Sequence, residues 1–260
     1  VPDVGDLSEV LIETDVVSYI KKMVMSDPMS FWNNVNRAMT VNGVPERDQR
    51  YLKDWAEFHI GPDQDVSQAE DNEQSGLARA VFDGIMIMRA HATSEETKVN
   101  GWGVPPVGFG RSGVHGNFYI RGAIQSMRGI VANDAEEAMY MARAKDQNGD
   151  GITSKHTYEL HFPPGQTPPA RYFWSLTVYD QDANLMLNDY DRYAISGNSE
   201  DLIYEDDGSL RILIGGEPPE GMVGNWLPAG ESFTRVTLRV YGPEKAMIER
   251  TWKPPQLKRL

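Results

Sequence analysis

Side chains suited to catalysis or ligand binding recur at every second position in three short segments of the sequence. These segments are rich in β-branched and aromatic residues, which is typical of strands. Because successive side chains of a strand point to opposite faces, each segment has one apolar and one polar side. The polar positions are Glu159, His161, Ser175, Thr177, Tyr179, Thr237, Arg239 and Tyr241. If the segments share one sheet, we expect these side chains to gather on one face.

One chemistry that suits this polar set is the metal-independent cleavage of an acidic polysaccharide. A lyase acting on uronate polymers needs an acid and a base, with an arginine and an amide to neutralise the carboxylate beside the abstracted proton. His161, Tyr179 and Arg239 are the candidate catalytic residues, and Asn188 offers the amide. A lyase or hydrolase is therefore one hypothesis for the function.

The same residues could instead bind a ligand without changing it. Trp174 or Trp226 offers a flat apolar platform, while Arg239, Asn188 and Asn225 can donate hydrogen bonds to a sugar-like or carboxylated molecule. We expect this binding function, with a small-molecule or oligosaccharide ligand, and keep the enzyme as the alternative. A structural or partner-binding module is the second alternative, because the outer face of an antiparallel sheet is normally polar.

Metal and cofactor sites are not expected. Asp146, Asn148, Asp150 and Gly151 match the opening of a calcium loop, but Thr157 stands where that loop needs a bidentate glutamate. A hairpin with an Asp-Gly turn is the favoured interpretation of this segment. The histidines show no zinc-binding spacing, and the one GxGxxG motif follows two prolines where a nucleotide site needs a strand.

Composition limits the classes of partner and environment. The 260 residues carry a formal net charge of -13, which disfavours nucleic acid as a partner. No apolar run approaches the roughly 20 residues that a membrane-spanning helix needs. Cysteine is absent, which excludes disulfides and thiolate chemistry. The sequence leaves open whether the chain forms a homo-oligomer, and it starts without the pattern of a signal peptide.

The first hundred residues have the apolar periodicity of helices. The pattern predicts one helix through Leu7 to Met23, a second that begins after Asp27, a third over Pro45 to His59 and a fourth over Ser67 to Thr97. In the third helix, we expect four residues to face the core: Tyr51, Leu52, Trp55 and Phe58. A Gly- and Pro-rich linker is predicted at residues 101–116.

Short strand-like runs separated by turn signals follow the linker over residues 117–260. Seven runs are predicted to be strands: Phe118–Arg121, Met139–Ala144, Thr157–Phe162, Tyr172–Tyr179, Tyr193–Ser196, Leu210–Ile214 and Phe233–Tyr241. This order predicts an α+β protein with a helical N-terminal region and an antiparallel, jelly-roll-like β-sandwich.

Five stretches in this second part resemble one bacterial family, the domain of unknown function 1214. They are YELHFPPGQTPPARYFWSLTVYD, NDYDRYAIS, DDGSLRILI, NWLPAGESF and LRVYGPEKAMIERTWKPP. The resemblance extends to DPMSFWNNVNRAM and NFYIRGAIQSM in the preceding region. Members often carry a companion domain, domain of unknown function 1254, for which this chain is too short.

The resemblance implies a jelly-roll-like β domain and, because many members are exported, a periplasmic or secreted location. The polar and aromatic signature of the family falls on Tyr119, Arg121, His161, Trp174, Ser175, Tyr179, Asn188, Arg192, Asn225, Trp226, Arg239 and Tyr241. Beside the three candidate catalytic residues, we therefore expect the ligand to contact Arg121, Trp174, Ser175, Asn188, Arg192, Asn225, Trp226 and Tyr241.

Overall fold

The computed structural model describes residues 26–94, 97–104, 122, 133–181 and 183–260. The chain divides into two units, Val1–Arg89 and Ala90–Leu260. The helix predicted through Leu7 to Met23 and the strand predicted at Phe118–Arg121 lie outside the described residues. So does most of the predicted linker. No described helix is long and apolar enough to cross a membrane.

Helices make up the described part of the first unit. Helix α1 spans Pro28–Asn42, α2 spans Leu52–Trp55 between 3-10 turns at Glu46–Tyr51 and Ala56–Phe58, and α3 spans Asp71–Ser94. The side chain of Asp27 caps α1 as predicted, because its Oδ1 accepts a hydrogen bond from the Ser30 amide at 2.9 Å.

Asn36 of α1 ties this helix to the chain that follows α2. Its side-chain amide donates to the carbonyls of His59 and Gln64, and its Oδ1 accepts from the Gly61 amide at 2.9 Å. All its side-chain hydrogen-bonding groups are thus used within the unit. This explains why an asparagine is the one buried residue of α1.

The hydrophobic core of this unit is small. Its buried cluster consists of Ile60, Val66 and Leu77, with three partly buried residues packed against it: Met29, Trp32 and Met39. The expected inward orientation of the third helix is wrong for its aromatic residues, since Tyr51, Trp55 and Phe58 are 39%, 41% and 42% exposed.

The second unit contains the strands, so the chain has the mixed α+β architecture that the sequence predicted. In chain order the described strands are β1 Thr97–Val99, β2 Trp102–Val104, β3 Ala138–Arg143, β4 Tyr158–Phe162, β5 Ala170–Asp180, β6 Ala194–Ser196, β7 Leu210–Ile214, β8 Trp226–Leu227, β9 Phe233–Pro243 and β10 Lys258–Arg259. A four-residue helix, α4, spans Lys245–Ile248. Jelly-roll topology stays a prediction.

The described strands form two sheets. The larger has the order β1-β2-β3-β9-β5-β6 and the smaller the order β10-β4-β7-β8. Neighbours are antiparallel except for β7 and β8, which run parallel. The apolar sides of both sheets contribute to one core cluster, in which the rings of Phe162 and Trp174 lie 5.9 Å apart and those of Tyr158 and Phe233 6.1 Å apart. The core therefore separates the outer faces of the two sheets.

Strands β1 and β2 were not predicted, although their turn carries a recognisable signal. Asn100 and Gly101 connect them with φ angles of 50° and 81°, which suits a two-residue hairpin turn. The buried guanidinium of Arg143 holds this turn, donating to the carbonyls of Asn100, Lys145 and Asp146. Burial lowers the pKa of Arg143, and the charge of Asp146 opposes that effect.

The C-terminal segment packs against the second unit next to β4. Leu257 is fully buried, and its carbonyl accepts from the Gln147 amide at 2.8 Å. Trp102 donates from Nε1 to the carbonyl of Pro255 at 2.7 Å. Arg259, in β10, lies 3.5 Å from Asp146 Oδ2 and 3.2 Å from Asp150 Oδ2. The tail thus completes an edge of the smaller sheet.

Replacement of Gly101 by alanine tests whether the buried arginine fixes the hairpin. A Cβ at this position would lie 2.8 Å from Arg143 Nη1. Gly149 is the matched control, because it also has positive φ, +89°, but has nothing within 4 Å of an added Cβ. We expect Gly149→Ala to cost about 1–2 kcal/mol of unfolding free energy through backbone strain. Gly101→Ala should cost about 1–3 kcal/mol more, because hydrogen bonds from a charged group are disturbed. Equal losses in urea unfolding would contradict this role for Arg143.

Candidate functional site

The outward side of the larger sheet carries the candidate site. Directly opposite residues in antiparallel strands point to the same side, and the register sets Tyr140 opposite Arg239 and Arg239 opposite Ser175. We call this side the polar face, defined by Tyr140, Ser175, Thr177, Tyr179, Ser196, Arg235, Thr237, Arg239 and Tyr241. Its members are partly or fully buried, not fully exposed.

Arg239 is the centre of the polar face. Its guanidinium donates to Thr177 Oγ1 at 3.2 Å and to the Tyr179 hydroxyl at 2.5 Å. It also lies over the Tyr179 ring, 5.3 Å from the centroid, and Arg235 lies at the same distance from that ring. Two cations therefore share one aromatic ring on this side of the sheet.

The hydrogen bonds of Arg239 within the described chain are to neutral hydroxyl groups. Among the described residues, no carboxylate lies within ion-pair distance of its guanidinium. By contrast, Arg211 and Arg259 on the smaller sheet both pair with acidic side chains. Arg239 is thus a half-buried cation that is held in place but not neutralised by the described chain.

Tyr140 belongs to this site, although the sequence did not single it out. Burial raises its pKa above the ordinary value of 10.0; Tyr241 and Glu137 add to the rise, and Arg239 and Asn133 oppose it. Its hydroxyl is therefore protonated at neutral pH and can donate a hydrogen bond. The signal that could have found Tyr140 is its position in the strand predicted over Met139–Ala144, on the side that faces away from Met139 and Met141.

His161 does not lie with Tyr179 and Arg239, so the expectation that the three segments share one sheet is wrong. Strand β4 pairs with β7 and β10 in the smaller sheet. Leu160 and Phe162 enter the core, which leaves His161 on the opposite outer face. The catalytic set predicted from His161, Tyr179 and Arg239 is therefore divided by the core of the sandwich.

His161 lines a small hollow on that other face. The hollow has a volume of about 260 Å³ and is lined by Gln147, Glu159, His161, Pro255, Gln256 and Lys258. Glu159 is ion-paired there with Lys258 at 3.7 Å and with Arg211 at 3.9 Å. The charges of this hollow are largely paired with each other, unlike that of Arg239.

The two tryptophans expected to form a binding platform are buried. Trp174 points into the core between the sheets and is 5% exposed. Trp226 is 2% exposed, donates from Nε1 to the Gly215 carbonyl at 3.0 Å and has the Tyr190 ring against it. Neither ring can stack on a ligand without opening the core, which corrects that expectation.

Three further predicted ligand residues hold loops together. Asn188 accepts from the amides of Tyr190 and Arg192 and donates to the Met186 and Arg192 carbonyls. Arg192 pairs with Asp201 at 2.9 Å and donates to the Gly224 carbonyl. Asn225, fully buried, is bonded to the backbone of Ile203 and Arg211. Their polar groups are engaged within the chain, so these three residues are structural and are not part of the candidate site.

The remaining predicted site residues divide between the polar face and undescribed segments. Ser175 and Tyr241 lie beside Arg239, and Tyr241 stacks on Phe173 at 4.6 Å. Arg121 and Tyr119 lie outside the described residues. The structure therefore brings together Ser175, Tyr179, Arg239 and Tyr241 from the predicted set.

The calcium-like segment forms a turn. Lys145 and Gly151 make an isolated antiparallel bridge, and Asp146 Oδ1 accepts from the amides of Asn148 and Asp150. The guanidinium of Arg259 lies against the carboxylates of Asp146 and Asp150. A side chain of the protein therefore stands near these carboxylates, where a calcium loop would have its cation. Within the described ranges, no group of three or more His, Cys, Asp or Glu side chains is arranged to hold a metal ion.

Comparison with solved structures supports the fold alone. The VPA0106 protein from Vibrio parahaemolyticus is similar with a TM-score of 0.56 and 21% identity, over 82% of this chain and 51% of that chain. An uncharacterized protein from Burkholderia cenocepacia aligns over 94% of this chain and 52% of that chain, at 11% identity and a TM-score of 0.34. The chain thus spans about half the length of each solved chain. No curated protein matches it.

A family model agrees with the sequence motifs in the strand-rich unit. The model described as "Protein of unknown function (DUF1214)" matches residues 137–245, from the end of the turn before β3 to the first residue of α4. The matched range includes β3, β5 and β9, which carry Tyr140, Tyr179 and Arg239. The match confirms, over residues 137–245, the family that the sequence motifs resemble.

Proposed function

We propose that the polar face binds a small carboxylated ligand and that Arg239 holds its carboxylate. The observation that carries this proposal is the guanidinium of Arg239, held by Thr177 and Tyr179 and paired with no carboxylate among the described residues. A half-buried cation is stabilised by an anion, and a planar guanidinium matches a carboxylate through two parallel hydrogen bonds.

The neighbours of Arg239 fit the polar remainder of such a ligand. Tyr140 and Ser175 flank it in the same row of the sheet, and Tyr241 lies two residues further along β9. Each hydroxyl can donate or accept a hydrogen bond. Because Thr177 and Tyr179 already fix the guanidinium, little side-chain entropy is lost when the ligand binds. This favours a hydroxyl-rich acid, such as a uronate sugar, as the ligand.

The enzyme alternative now needs a different set of residues. With His161 on the other sheet, a lyase on the polar face would have to use Tyr140 and Tyr179 as its acid and base, with Arg239 on the substrate carboxylate. No observation of the described residues favours this over binding, so binding is our proposal. A periplasmic or secreted location and a jelly-roll topology are proposals that rest on the family resemblance.

Binding of matched acidic and neutral sugars tests the role of Arg239. We expect galacturonate to bind and galactose, which lacks the carboxylate, to bind at least about tenfold more weakly, because hydrogen bonds to charged groups contribute about 1.5–3 kcal/mol. Arg239→Gln should remove this preference. Isothermal titration calorimetry measures both effects.

Arg211→Gln is the matched control for that measurement. Arg211 lies on the smaller sheet and is paired with Glu159 and Glu205, so its removal should leave galacturonate binding unchanged. Equal binding of the two sugars, or galacturonate binding that survives Arg239→Gln, would refute the proposal.

The raised pKa of Tyr140 predicts a loss of stability in alkali. In the unfolded chain the hydroxyl ionises near its ordinary value of 10.0, whereas the folded protein keeps the proton to higher pH. Below pH 10.0 the protonated Tyr140 therefore makes its full contribution to the free energy of unfolding. This contribution is lost as the pH rises through the higher pKa of the folded protein. Tyr140→Phe should lessen this alkaline loss in urea unfolding. Tyr204→Phe, at an exposed position, is the control that should retain it; a variant at Tyr140 with the same alkaline loss would contradict burial as the cause.

A further inference from the structure

An aromatic stripe on the first unit is partly exposed, although its sequence pattern is that of a covered helical face. The stripe consists of Tyr51, Trp55 and Phe58, at helical spacing of four and three residues, and each ring is about two-fifths exposed. Tyr51 and Trp55 stack at 5.5 Å, so the two rings form one continuous apolar surface. Such a stripe is the signature of a helical face that packs against another element.

The size of the neighbouring core makes this exposure costly. The buried apolar cluster of the described part of the unit is limited to Ile60, Val66 and Leu77, with partly buried residues around it. About two-fifths of each ring remains accessible to water, and this apolar surface contributes to stability only when another element buries it. A covering element would therefore add substantially to the stability of the unit.

We propose that residues 1–25 of this chain cover the aromatic stripe. They end directly before Ser26, two residues ahead of α1, and belong to the same unit of the chain. Their sequence carries a matching apolar series at roughly helical spacing: Leu7, Val10, Leu11, Val17, Ile20 and Met23. A helix over these positions would be about 25 Å long, longer than the stripe.

The area of the stripe argues against a second copy of the chain. Two separate proteins need about 800 Å² on each partner for a stable interface. Three rings that are two-fifths exposed offer roughly 180–300 Å², given the 150–250 Å² that each can bury. A tethered segment needs less, because its effective concentration reaches the millimolar range. The stripe is therefore sufficient for intramolecular docking and small for a dimer.

Hydrogen exchange of the Glu46–Phe58 amides tests the proposal. Val10→Asp places a charge in the apolar series of the segment, and Ser8→Asp adds the same charge outside that series. We expect Val10→Asp to speed exchange of these amides about tenfold or more, through the loss of a buried valine. Ser8→Asp should leave it unchanged. Exchange that is the same in wild type and Val10→Asp overturns the proposal.

Trypsin cleavage after Lys21 and Lys22 tests the contact from the other side. We expect Trp55→Ser to speed cleavage there several-fold, whereas Val41→Ser, at an exposed apolar position outside the stripe, should not. If Trp55→Ser does not fold, the exchange measurement on Val10→Asp still tests the proposal, because that variant leaves the three aromatic residues unchanged. Protection that weakens on dilution, together with a dimer in sedimentation, would assign the stripe to a second copy and overturn the proposal.

Discussion

The pairing of β5 with β9 is the constraint on which the sandwich and its candidate site depend. It sets Trp174, Leu176 and Val178 on the same side as the apolar residues of β9, and this side enters the core. Because side chains alternate, the same register brings Thr177 and Tyr179 to the side of Arg239. A shift by one residue would expose the apolar side and bury the guanidinium. The register that forms the core therefore also positions the cation.

Two arginines of the larger sheet play different roles. Arg143 enters from the core side of β3 and donates to three backbone carbonyls, so its hydrogen bonds connect the β1–β2 turn with the segment after β3. Arg239, on the opposite side of the sheet, donates to two hydroxyls that carry no charge. The guanidinium of Arg143 is bonded to fixed backbone carbonyls, whereas that of Arg239 keeps N–H donors that can bind a ligand. This difference in partners distinguishes a structural arginine from a candidate ligand-binding one.

The alternation of apolar and polar residues predicted most strands of the second unit, but it could not predict which strands pair with each other. Alternation identified the strands and assigned Tyr179 and Arg239 to polar sides, because that property is encoded within each segment. It could not show that His161 belongs to another sheet, since strand pairing depends on residues far apart in sequence. Side-chain type and the family motifs both pointed to Trp174 and Asn225, whose roles are structural, because neither signal distinguishes packing from binding. The Asn-Gly pair before β2 is a hairpin signal within the sequence, but a helix was predicted up to Thr97 and a linker from residue 101.

The overall charge of the chain restricts how the polar face can attract an anion. With a net charge of -13, the protein repels anions at long range, and in physiological salt this field decays over about 8 Å. Attraction by Arg239 must therefore act at contact distance, through hydrogen bonds whose geometry Thr177 and Tyr179 fix in advance. Such a site gains little from electrostatic steering and much from shape and hydroxyl placement. A ligand selected in this way is recognised by the arrangement of its oxygen atoms around the carboxylate, because charge alone would not hold it against the field of the protein.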